Sequence, residues 1–193
     1  MAKTVSVAMK RTEPTPEPIW CSEDLSPLFQ ACFREYNTLL VGGAKEPLYT
    51  PWNENEPAKI YYTRDFFRSA LHEVAHWCIA GPERRQLEDY GYWYAPEGRN
   101  AEQQLAFEMV EVRPQALELL FCAATAHPFL VSCDNFNGNG NEEEFQRRVW
   151  AEALKMLAGD MPPRGKQWLK TLQAAYGVAV LNEAQLGTVW RHV

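Results

Sequence analysis

One segment, residues 63–82, constrains the fold of this chain more than any other. Thr63 is a favourable N-cap, residues 66–80 contain neither proline nor glycine, and Gly81-Pro82 supplies a C-terminal stop. This pattern predicts a well-delimited helix. The helix carries the sequence His72-Glu73-Val74-Ala75-His76, which has the form H-E-x-x-H.

His72 and His76 are four residues apart, so on a helix both imidazoles leave the same face. They can direct two neutral nitrogens at one metal ion, ~2.0–2.1 Å away if the ion is zinc. The alternative is two unrelated core or surface histidines. The delimited helix favours a metal site, as does the presence in the motif of two of the chain's 4 histidines.

A third ligand is expected from a second helix. It opens at Asn100, and the chain then presents Gln104, Glu108 and Glu111 at positions i, i+4 and i+7, on one polar stripe. We favour Glu108 as the carboxylate ligand and Glu111 as the second choice. Pro114 is expected to kink or split this helix, which resumes to about residue 126.

The rest of the chain predicts a helix-rich α+β domain with the metal site between two helices. Further helices are expected at 25–41, 142–158 and 164–176, with the first ended by Gly42-Gly43. Short extended pieces near 47–62 and 90–95 are expected to form a small sheet. We predict a flexible proline-rich tail over residues 1–22 and one compact domain over residues 23–193.

Composition narrows the functional classes. The 193 residues are 46% apolar, which is enough for a sizeable core, and the net charge of −6 argues against a broad nucleic-acid surface. No uncharged apolar run approaches the ~20 residues of a membrane span, and no signal peptide is expected. The 5 cysteines contain no C-x-x-C pair. We therefore expect reduced thiols, a cytoplasmic location, and neither a nucleic-acid nor a membrane partner.

Two histidines and one carboxylate leave the chemistry open. In a zinc hydrolase, Glu73 would act as general base toward a metal-bound water. In a non-haem Fe(II) oxygenase, the open positions would receive dioxygen and substrate, and Glu73 could instead orient a ligand. A third reading is a non-catalytic binding module whose structural metal has a fourth ligand from Glu111, Asp134 or His127.

Loops supply candidate walls for the site. Residues 89–99 concentrate aromatic side chains between the two metal helices, among them Tyr92, Trp93 and Tyr94, with Arg99 at the end. Such rings can stack on a long aliphatic cationic side chain, or simply pack on the core. Asp134 lies in a loop rich in asparagine and glycine and is a further candidate for the site.

Several stretches together resemble the bacterial elongation factor P hydroxylase family, over roughly residues 25–175. They are Leu71 to Gly81, Tyr90 to Tyr94 with Pro96 and Gly98-Arg99, Phe107-Glu108, Val110 to Leu117, Ser132 to Asn135, and Phe145 to Val149. Long matching flanks make this likeness much more specific than H-E-x-x-H alone.

The resemblance implies hydroxylation of an elongation factor P lysine that already carries a β-lysyl group. It further implies an Fe(II)-dependent oxygenase that uses dioxygen, with zinc or another divalent metal as alternatives and no implied need for 2-oxoglutarate. Carried over by position, His72, His76 and Glu108 are the metal ligands. Glu73 is then the expected catalytic group. The residues expected to receive the cationic arm of the substrate are Tyr92, Trp93, Tyr94, Arg99, Glu111 and Asp134.

Overall fold

The computed structural model describes residues 20–91, 101–132 and 142–191. Six α-helices lie in these ranges: α1 Leu25–Cys32, α2 Phe67–Ile79, α3 Ala101–Ala124, α4 Glu142–Lys155, α5 Pro163–Tyr176 and α6 Glu183–Val189. The strands are β1 Thr38–Ala44, β2 Leu48–Thr50, β3 Ala58–Thr63, β4 Phe129–Leu130 and β5 Trp190–Arg191. The predicted fold class, helix-rich α+β with small sheets, is confirmed.

α3 lies at the centre of the fold and packs against α2, α4, α5 and α6. From Ala116 to Ala124 every residue of this helix is buried, which is typical of a helix that is surrounded by neighbours. The helix runs through Pro114 without being split. Proline removes one backbone donor, and here packing on several sides outweighs that loss. Of the two outcomes expected at Pro114, a kink or a split, the split does not occur.

A three-stranded sheet of order β1-β3-β2 flanks the helices. β1 is parallel to β3, β2 is antiparallel to it, and Ala58, Ile60 and Tyr62 point into the core at alternating positions. The strand predicted near residues 59–62 is confirmed as β3. A second, two-stranded parallel sheet joins β4 to β5.

The helix predicted over residues 25–41 was too long, because α1 ends at Cys32 and β1 begins at Thr38. Asn37 adopts a left-handed conformation, with φ at 44°, and turns the chain between them. Gly42 lies within β1, where a Cβ atom would collide with the Asp65 carboxylate and the Tyr62 hydroxyl. The glycine therefore serves close packing in a strand rather than the end of a helix.

The metal-motif helix α2 is capped at its C-terminal end by Arg164 of α5. The guanidinium donates to the carbonyls of Trp77, Cys78 and Ala80, at 2.9, 3.2 and 2.5 Å, and lies 4.7 Å above the Trp77 ring. A cation at this end satisfies carbonyls without helical partners and complements the helix dipole. The contacts of Arg164 thus fix the C-terminal end of α2, just beyond His76.

Most of the predicted tail lies outside the described residues, as does the segment 92–95 that was expected to join the sheet. Trp20 is described, and it anchors its end of the chain by donating from Nε1 to the Thr125 carbonyl at 2.9 Å. Within the described ranges, no helix combines the length and apolarity that crossing a bilayer requires.

Candidate metal centre

α2 buries one face in the core and turns the other toward a cavity. Leu71, Val74 and Ala75 are fully buried, while His72 and His76 lie on the opposite side, one helical turn apart. Their Nε2 atoms are 3.1 Å from each other. The spacing predicted from the sequence therefore brings two ring nitrogens to one point.

Glu111 of α3 completes the group. Its Oε1 lies 3.3 Å from His76 Nε2 and its Oε2 lies 3.6 Å from His72 Nε2, with only 5% of the side chain exposed. One ligand atom from each of the three residues lies within 4.8 Å of the other two. Among the described residues, these three side chains are the ones that could hold a metal ion together.

The three residues fit a divalent ion of the zinc or iron type. Ligand atoms that share one ion at about 2.0–2.2 Å are separated from each other by roughly 2.8–3.6 Å. The distances of 3.1, 3.3 and 3.6 Å all fall within that interval. The donor set, two imidazole nitrogens and one carboxylate, suits either metal and leaves coordination positions open.

Glu118, about two turns further along α3 than Glu111, orients the first histidine. Its Oε2 lies 2.8 Å from His72 Nδ1, and its Oε1 accepts from Arg68 Nε at 2.5 Å. The Glu118 side chain is 1% exposed. A carboxylate on Nδ1 keeps a proton there and leaves Nε2 as the nitrogen that faces the point shared with His76 and Glu111. This is the usual outer support of a metal-binding histidine.

The electrostatics favour a cation at this point. Burial by itself lowers the pKa of His72, but the Glu118 and Glu111 carboxylates outweigh it and raise the pKa to about 10. Burial raises the pKa of Glu111, and the two histidines reverse that effect and lower it to about 2. The site thus keeps its carboxylates ionised and balances them with positive charge, which a bound metal would supply.

Glu108 does not join this group. Its Oε1 accepts from Gln104 Nε2 at 3.3 Å, and its Oε2 lies 4.0 Å from an Arg148 nitrogen on α4. Glu108 and Glu111 are three residues apart on α3, so their side chains leave the helix only about 60° apart around its axis. Glu111 is the one turned toward the imidazoles of α2. The structure brings the second choice of the sequence analysis, Glu111, to the imidazoles.

A cavity of about 1220 Å³ opens beside the three residues. The described residues of its inner wall include His72, Glu73, His76, Tyr90, Glu111 and Glu118. The Glu73 carboxylate has no hydrogen-bond or ion-pair partner among the described residues. Burial raises the pKa of Glu73, while the neighbouring His72 and His76 partly offset the shift.

Tyr90 forms the wall next to His76. Its ring is parallel to the His76 imidazole at 6.4 Å and stacks on Tyr49 at 4.3 Å. Asp89 accepts from the Tyr49 backbone nitrogen at 2.8 Å, and both Asp89 and Tyr90 have positive φ, at 46° and 59°. The Tyr90 hydroxyl is buried without a hydrogen-bond partner in the described structure, an arrangement that typically costs about 1–3 kcal/mol.

Five predicted substrate-binding residues lie outside the described residues: Tyr92, Trp93, Tyr94, Arg99 and Asp134. Their placement stays a prediction. His127, which the binding-module reading offered as a fourth ligand, is not in the metal group. Its Nδ1 lies 2.7 Å from the Pro128 carbonyl, and its ring stacks on Phe67.

Sequence reasoning missed Glu118, Gln115 and the orienting contacts. Gln115 binds the Ser132 backbone through both amide atoms, at 2.7 and 3.0 Å. Both residues continue the stripe of Glu111 at i+4 and i+7, so the signal was present.

Comparison with known proteins identifies the family of this chain. The family model described as elongation factor P hydroxylase matches residues 28–186, which is most of the chain and includes α2, α3 and the sheet. The chain belongs to the elongation factor P hydroxylase family. A curated relative, the elongation factor P lysine hydroxylase of Haemophilus influenzae, is 46% identical over 157 residues. That alignment covers 80% of this chain and 88% of the relative.

Proposed function

We propose that this chain is an Fe(II)-dependent hydroxylase of a lysine in translation elongation factor P. The observation that carries the metal dependence is the convergence of His72, His76 and Glu111 on one point at a cavity wall. Family membership and the name of the Haemophilus influenzae relative supply the reaction and the protein substrate. In this proposal Glu111, rather than Glu108, is the carboxylate ligand.

Each residue of the site has a separate role in this proposal. His72, His76 and Glu111 hold the metal on one side, and Glu118 with Arg68 keeps the His72 ring in its binding orientation. Bound iron would react with dioxygen, which amino-acid side chains alone cannot do. The buried walls around the cluster limit access of water, and the cavity positions the lysine side chain beside the metal.

The substrate is proposed to be elongation factor P whose lysine already bears a β-lysyl group, with hydroxylation completing the modification. A cavity of about 1220 Å³ has room for such an extended arm. Its inner wall is acidic, which suits a cationic arm. The protein is proposed to act in the cytoplasm, where translation factors function.

The test is the intact mass of elongation factor P after incubation with the anaerobically Fe(II)-loaded protein and then air and a reductant. β-Lysylated elongation factor P should gain one oxygen atom, and His72→Ala and His76→Ala should abolish the gain. No gain with iron demonstrably bound, or full activity of either alanine variant, would refute the proposal. Peptide cleavage without oxygen would instead support the zinc-hydrolase alternative.

Two matched variants on α3 test which glutamate binds the metal. Glu111→Gln should reduce Fe(II) affinity by about a hundredfold or more and abolish hydroxylation, because it removes a charged ligand. Glu108→Gln on the same helix should keep the iron affinity within about threefold of the parent. The opposite ranking in an anaerobic competition titration would return the ligand role to Glu108.

A further inference from the structure

We propose that Glu73 and Tyr90 form a receptor for a primary ammonium group on the substrate arm, next to the metal cluster. This inference rests on the proposed function, and it names how the cavity selects an amine-bearing extension. It assigns Glu73 a substrate-binding role and adds Tyr90, which sequence reasoning did not single out.

The first observation is the state of Glu73. It follows His72 directly on α2 and precedes His76 by three residues, so it lies on the rim of the metal face. Its carboxylate lines the cavity and has no hydrogen-bond or ion-pair partner among the described residues. Glu73 is half-buried at the cavity wall. A cationic ligand would give its carboxylate a charge-assisted partner that the described residues do not supply.

The second, independent observation is the Tyr90 hydroxyl. Tyr90 is 4% exposed, lines the same cavity, and its hydroxyl has no partner in the described structure. Stacking on Tyr49 at 4.3 Å holds the ring, and it lies parallel to His76 at 6.4 Å. A phenylalanine would keep these ring contacts, so the hydroxyl has no structural use among the described residues.

The two groups together match an ammonium ion. A primary ammonium has three N–H donors and no acceptor, whereas a carboxylate and a phenol oxygen are both acceptors. Glu73 would supply the charge and Tyr90 a second hydrogen bond. A neutral acetylated amine would lose the charge-assisted hydrogen bond and leave the Glu73 carboxylate without a partner. The receptor therefore selects extensions that end in a free amine, such as the β-lysyl group.

The experiment is equilibrium binding without turnover, using the full chain loaded with Fe(II) under anaerobic conditions. The probes are a fluorescent peptide that carries the β-lysylated lysine and the same peptide with its amines acetylated. We expect the protein to bind the free-amine peptide at least tenfold more tightly. Tyr90→Phe and Glu73→Gln should each reduce this preference about tenfold. Tyr61→Phe and Glu102→Gln, outside the cavity lining, should leave it unchanged.

The melting temperature of each variant distinguishes a substrate-binding role from a structural role. Tyr90→Phe should leave it unchanged or raise it, because a buried hydroxyl without a partner is removed. Variants that retain the full amine preference would overturn the receptor while the hydroxylase proposal stands. A fall in melting temperature with unchanged preference would do the same, since it would assign the hydroxyl a structural role. An unmodified chain that binds neither peptide would overturn both proposals.

Discussion

Replacing Glu118 with glutamine tests whether the metal centre depends on its outer support. The carboxylate is 1% exposed and joins Arg68 Nε at 2.5 Å to His72 Nδ1 at 2.8 Å. Glutamine has nearly the same volume, but its amide has one acceptor and one donor end. Because both neighbours are donors in the parent, one of the two contacts must be lost.

The expected magnitude follows from that geometry. Removing an outer partner of a metal-binding histidine typically lowers metal affinity about 10–100-fold, which corresponds to about 1.4–2.7 kcal/mol. Arg68 is 29% exposed and regains some contact with water. The loss of folding free energy should therefore stay below the ~3–5 kcal/mol that breaking a fully buried ion pair costs.

Anaerobic Fe(II) titration against a competing chelator measures the effect, with circular dichroism as the check on folding. Glu102→Gln, on an exposed position of α3, is the matched control and should bind iron like the parent. If Glu118→Gln is folded and binds iron within twofold of the parent, the orienting role of Glu118 is refuted. If Glu118→Gln loses iron as expected, its hydroxylation activity should fall in parallel.

Two further changes probe the frame around the centre. Arg164→Ala should lower the free energy of unfolding by about 2–4 kcal/mol, because three carbonyls at the end of α2 lose a charged donor. Urea denaturation measures this loss, with Lys166→Ala at an exposed position of α5 as the control. Equal stability of the two variants would contradict the prediction. Gly42→Ala should lower the free energy of unfolding by about 1–3 kcal/mol, because the added Cβ collides with the Asp65 carboxylate and the Tyr62 hydroxyl. An unchanged melting temperature would show that these side chains move aside without loss of stability.

The body and the C-terminal end of the metal helix were predictable because their signals are local. The N-cap predicted at Thr63 was wrong, because Thr63 ends β3 and α2 begins at Phe67. The four-residue spacing of His72 and His76 sets their common face through helix geometry alone, and Gly81-Pro82 ends the helix whatever packs around it. The strand near residues 59–62 and the helix-rich fold class were predictable for the same reason. The end of the first helix was not predictable from the sequence. Residues 38–41 have apolar spacing that suits a helix, but pairing with β3 makes them a strand.

Residue spacing alone puts two imidazoles on one face of α2 and a polar stripe with two candidate carboxylates on α3. Which of these carboxylates reaches the imidazoles depends on how α3 packs in the folded chain. The rotation of α3 about its axis depends on its packing against α2, α4, α5 and α6, and this packing also carries the helix intact through Pro114. It turns Glu111 and Glu118 toward α2 and leaves Glu108 beside Arg148. Such a rotation is a long-range property, because contacts distant in sequence set it, and no local pattern encodes it.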